Sequence, residues 1–189
     1  MKKLPLLLLN FFFIGMFCCS KNGKNIMVDL LTQYRDTIVG KFNGIDIDTL
    51  ISEPIDTIKE RAFWDWRIYS KNNTVDTLIL TQRFSVKMIQ EGDLDGNGTD
   101  EFGIRRESDA GTWDNYYIYT FQNGEWKYLT DPIWTYSEFF YEYYNNGNDI
   151  AEKTDKVGFI KIRYDLIIGY NGEEASSDTI ISVNPQSIK

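Results

Sequence analysis

Five oxygen-bearing residues at alternate positions, Asp93, Asp95, Asn97, Thr99 and Glu101, form the segment whose chemistry is most strongly specified by spacing. Alternate residues converge when a backbone winds tightly around a cation, and the intervening Gly96 and Gly98 permit the dihedral angles that winding demands. The Thr99 carbonyl and the Glu101 carboxylate complete an oxygen cage in this reading. Hard oxygen donors, with three carboxylates and no nitrogen or sulfur, select calcium over transition metals. The alternative is a metal-free acidic turn closed by its own side-chain-to-backbone hydrogen bonds. The segment is not an EF-hand, because Ile104 stands where that motif needs glutamate and Phe102-Gly103-Ile104 begins a strand.

The rest of the composition removes other chemistries. With no histidine there is no Ser-His-Asp triad, Cys-His pair or His-ligated zinc site. The only cysteines, Cys18 and Cys19, are adjacent and build neither a metal site nor a disulfide framework. Glu107, Asp109, Asp114, Glu138 and Glu142 could supply the carboxylate pair of a glycoside hydrolase, but no spacing singles out two of them. The expectation is therefore a protein that is not an enzyme. The formal charge is −8 and becomes −10 once Lys2 and Lys3 are removed with a leader, which argues against a nucleic-acid partner.

The elements that must position the loop read as strands. Trp66–Tyr69, Thr77–Leu80, Phe84–Met88, Tyr116–Phe121, Phe159–Tyr164 and Thr179–Val183 are rich in β-branched and aromatic residues. Asn72-Asn73, Asn123-Gly124, Asn145-Asn146-Gly147 and Asn171-Gly172 punctuate them. Asn123-Gly124 predicts a tight hairpin between Tyr117–Phe121 and Trp126–Leu129. Only Met27–Arg35 suits a helix, while Ser137–Tyr144 suits a short helix or a strand.

Gly92–Phe102 has an earlier echo in Gly40–Leu50, and Trp64-Asp65 precedes Ile68-Tyr69 as Trp113-Asp114 precedes Ile118-Tyr119. Ile68 and Ile118 lie fifty residues apart, a spacing typical of repeated sheet units. The earlier loop carries Lys41 where the first aspartate should stand and Ile45 at a ligand position, so it is expected to fold without metal. Asn43, Asp46 and Asp48 are its fallback ligands.

The Gly92–Ile104 loop, with the Trp113–Leu129 hairpin after it, resembles the calcium loops of FG-GAP and VCBS-type repeats of integrin-like propellers and envelope proteins. The resemblance implies Ca2+ held by Asp93, Asp95, Asn97, Thr99 and Glu101. It also implies a mainly β fold of antiparallel sheet units resembling a partial β-propeller, with few short helices. Two copies are too few to close a propeller. The expected organisation is one β-rich domain over residues 26–189, with repeat units at about 36–88 and 89–130 and a C-terminal β segment.

Residues 1–18 read as a signal peptide, with Lys2 and Lys3 before an apolar run from Leu4 to Phe17 that is short for a membrane span. Met16–Lys21 resembles the lipobox of a bacterial lipoprotein, with Cys19 as the lipidated residue, Cys18 the alternative and residues 19–25 the anchor and tether. That resemblance implies a membrane-anchored lipoprotein of the bacterial cell envelope, facing the periplasm. The alternative is an ordinary secretory leader.

Five Trp, twelve Tyr and twelve Phe allow stacking on a glycan or an envelope protein, although sheet packing consumes many such rings. Trp113 and Asp114, close after the metal loop, are the candidate ligand contacts. The functional expectation is a calcium-binding, non-catalytic interaction module. Its alternatives are an inhibitor or immunity protein against an envelope enzyme, and a carboxylate-dependent glycoside hydrolase.

Overall fold

The structure, a computed structural model, describes residues 34–55, 64–83, 85–106, 113–136, 150–168 and 173–188, which form thirteen strands and no helix. The mainly β, antiparallel character is as expected, whereas short helices are absent among the described residues. The leader with Cys18 and Cys19, Ser137–Tyr144, and Met27–Arg35 up to its last two residues lie outside them.

Strands β1 (Asp36–Gly40), β2 (Asp48–Pro54), β3 (Trp64–Ser70) and β4 (Leu78–Arg83) pair in chain order as one antiparallel sheet. A second sheet repeats that succession with β5 (Met88–Gly92), β6 (Glu101–Arg106), β7 (Trp113–Gln122) and β8 (Glu125–Tyr128). There β9 (Ile133–Tyr136) also pairs with β7, along its first half. Strands β10 (Ala151–Lys153), β11 (Phe159–Ile168) and β12 (Glu173–Ser182) form a third sheet, and β13 (Gln186–Ser187) returns to pair with β8. The acidic loop and its echo thus hold the same topological place. Each joins the first strand of a four-strand succession to the second, and Ile68 and Ile118 both lie on the third.

The hairpin at Asn123-Gly124 forms as its sequence demands, with φ of 57° and 81° and Gln122 opposite Glu125. The expected Phe84–Met88 strand begins only at Met88. Ser85–Lys87 instead bridges the first two sheets: Val86 is buried, its carbonyl accepts from the Ser52 hydroxyl at 3.4 Å, and the Met88 N–H donates to Asp36 at 2.8 Å.

Strand alternation makes the second sheet the middle layer. Phe102 and Ile104 of β6 and Tyr119 of β7 turn toward Leu50, Trp66, Ile68 and Leu80 of the first sheet. Phe102 and Tyr119 stack at 5.1 Å, an arrangement that adds ~1 kcal/mol to their burial. The opposite face presents Tyr116 and Ile118, which pack with Leu94 and Leu129 on Ile150, Ala151 and Ile160 beneath the third sheet. The outer faces mix ion pairs with exposed apolar side chains: Arg67, opposite exposed Ile79, bonds Glu53, while Lys161, opposite exposed Ile180, reaches Glu152 at 3.1 Å and Asp178 at 3.2 Å.

Candidate metal centre

β5 ends in a bulge, and Gly92, Gly96 and Gly98 take φ of 71°, 76° and 90°, a left-handed region that strains any residue with a Cβ. Their turns curl the acidic loop onto itself. Asp93 Oδ1 accepts the Gly98 N–H at 3.1 Å, Asp95 Oδ1 accepts the Asn97 N–H at 3.0 Å, and Asn97 Oδ1 accepts the Thr99 N–H at 2.6 Å. The Asn97 amide donates to the second Asp95 oxygen at 3.0 Å. Leu94 pins the loop by burying its side chain in the core beneath the third sheet.

Glu101 opens β6 on the face opposite Phe102, and the β6–β7 register sets Thr120 beside it. Its carboxylate accepts the Leu94 N–H and the Thr120 hydroxyl, both at 2.8 Å. Glu101 is fully buried and Asp95 only 5% exposed. One oxygen from each of Asp93, Asp95 and Glu101 lies within 4.8 Å of the others. The triad could hold a metal ion, and it is the only such group among the described residues.

Electrostatics follow from that crowding. Burial pushes Glu101 up to about 8, aided by the charges of Asp95 and Asp93 and opposed by its bonds from Thr120 and Leu94. Burial, then the Asp93 charge, also raises Asp95, against its bonds from Asn97. Asp93 is held below its ordinary value: burial acts upward, but Lys153 and the Gly98 and Gly96 N–H groups outweigh it. Lys153 Nζ donates to Asp93 Oδ2 at 2.9 Å from β10 of the third sheet.

Neighbouring loops clamp the site from both sides. The Lys41 N–H donates to Asp100 at 2.7 Å and the Asp100 N–H donates to the Lys41 carbonyl at 3.1 Å. On the other flank the Gly158 N–H donates to the Asp95 carbonyl at 2.7 Å.

Of the expected ligands, the structure thus brings Asp93, Asp95 and Glu101 together. Asn97 is exposed and Thr99 buried, and both lie within the loop's own hydrogen bonding. The fallback residues of the earlier loop do not converge. Asn43 closes a turn onto the Ile45 and Asp46 N–H groups at 2.9 and 2.8 Å, and its amide donates to Asp46 at 3.3 Å. Asp48, 2% exposed, accepts the Thr74 hydroxyl and the Asn72 amide at 2.8 and 2.9 Å. Burial acts upward on its pKa, but the Thr74 hydroxyl and the Thr49 and Asn72 backbone N–H groups outweigh it and lower the pKa.

Trp113 packs against Tyr136 at 5.5 Å. Asp114 is 2% exposed and takes the Arg105 guanidinium at 2.6 Å. The Trp most open to solvent among the described residues is Trp134. Glu107, Asp109, Glu138 and Glu142 lie outside the described residues. Sequence reasoning missed Thr120 and Lys153, for which local spacing carries no signal because each comes from a distant strand.

No family model, curated protein or solved structure matches this chain.

Proposed function

We propose that the chain is a calcium-binding, non-catalytic interaction module of the bacterial cell envelope, tethered to a membrane through Cys19. The observation that carries the calcium reading is the convergence of three carboxylates, one of them fully buried, on a glycine-wound loop. Buried like charges at this separation are costly without a counter-ion, and hard oxygen donors suit calcium. Asp93, Asp95 and Glu101 would hold the ion, with Asn97 and the Thr99 carbonyl completing the set that the FG-GAP-like spacing implies. The bound ion would supply positive charge and tie β5 to β6. The envelope location rests on the basic, apolar leader and the adjacent cysteines.

Thermal unfolding of the full chain in chelator, calcium and magnesium tests the metal reading. An ion that binds only the folded chain stabilises it by about 1.4 kcal/mol at ten times its Kd. Calcium should raise the melting temperature and magnesium, which resists dehydration, should do less. Asp93→Ala should abolish most of the rise, while Asp48→Ala should lower the baseline but leave the calcium increment intact. Equal calcium responses from the wild type and Asp93→Ala would reduce the loop to an acidic turn.

A further inference from the structure

Beside the carboxylate triad lies a cleft of about 370 Å³, lined by Gln90, Glu91, Asp93, Leu94, Ala151, Glu152 and Lys153. Its size falls within the range of small-molecule sites, roughly 300–1,000 Å³. Asp93 belongs to both cleft and triad, and it is the triad member left partly open while Asp95 and Glu101 are buried. Calcium takes six to eight oxygens, so if each of the five loop residues gave one oxygen, a further donor would be needed, and Asp93 puts the triad at the edge of this cleft.

We infer that the cleft binds a neutral vicinal diol, such as the paired hydroxyls of a hexose, as the ligand of the cation-loaded module; this rests on the calcium reading above. The lining sets three carboxylates against one ammonium, which disfavours an anion. Carboxylates instead accept hydroxyl protons, and the Gln90 amide and Lys153 donate to hydroxyl oxygens. The walls are held in place: the Tyr116 hydroxyl donates to Glu91, and Lys161 bonds Glu152 at 3.1 Å. Buried Leu94 and Ala151 give the cleft an apolar component. An ion bound at Asp93 would compete with Lys153 for that carboxylate and so free the ammonium as a donor.

Titration calorimetry on the full chain in a sugar-free detergent tests this, with calcium, D-mannose, its 2-deoxy counterpart and D-glucuronate as probes. D-Mannose should tighten calcium binding at least about fivefold, calcium should tighten mannose binding by the same factor, and the 2-deoxy sugar should do neither. Glu152→Gln changes a half-exposed side chain (42%) that does not touch the triad, so it should fold and keep calcium while losing the sugar coupling. Calcium binding that no sugar alters would overturn the diol site alone, and absent calcium binding would fail the metal reading as well. Mannose binding of equal strength in chelator, or a preference for glucuronate, would also overturn it.

Discussion

Glu101 concentrates the chemistry of this protein in one side chain. Its pKa in the folded chain, about 8, lies above the ordinary 4.5, so folding favours the neutral acid when no cation is present. That contribution is complete below about 4.5 and is lost as pH rises through about 8. In chelator the melting temperature should therefore fall as pH rises from about 5 to about 9, and Glu101→Gln should flatten the fall. A cation needs the carboxylate ionised, so binding near neutral pH should release a proton. Calorimetry in two buffers of different ionisation enthalpy reads that proton directly. Asp48 works in the opposite sense: its lowered pKa gives stability at neutral pH that disappears only as acid takes the carboxylate below its ordinary range.

At the scale of elements, β6 and β7 position the site, and Gly103 lets them do so. A Cβ there would collide with the Tyr116 hydroxyl, which reaches across to Glu91. Gly103→Ala should cost about 1–3 kcal/mol by overpacking, visible as a melting temperature several degrees lower in calcium and in chelator alike. A melting temperature within a degree of wild type would show that Tyr116 relocates freely. Much of this layer was legible beforehand. Alternating aromatic and β-branched residues marked β3, β7 and β11, and Asn123-Gly124 marked the hairpin. Ser85–Lys87 misled because its apolar residue is buried by bridging two sheets instead of pairing within one. The loop glycines announced Asp93, Asp95 and Glu101, whereas Thr120 and Lys153 arrive through strand register and sheet stacking, which local spacing does not encode.

On the scale of the whole molecule, three antiparallel sheets stack with the second between the others. The salt bridges of Arg67 with Glu53 and of Lys161 with Glu152 and Asp178 lie on the two outer faces, beside exposed Ile79 and Ile180. The clamps on the acidic loop have a kinetic consequence. Lys41 and Asp100 are 59 residues apart, and Lys153 and Asp93 are 60 apart, so the loop is clamped only when all three sheets have assembled around it. Contacts that need all three sheets in place are expected to form after the main folding barrier. An ion captured there should act as a latch rather than a nucleus. Stopped-flow refolding should show one rate in chelator and calcium, whereas calcium should slow unfolding by about tenfold for each 1.4 kcal/mol it contributes. Calcium-accelerated folding with unchanged unfolding would place the loop among the first parts to form. Such a latch would make the lifetime of the native domain, and with it its exposure to proteases, a function of the surrounding calcium concentration.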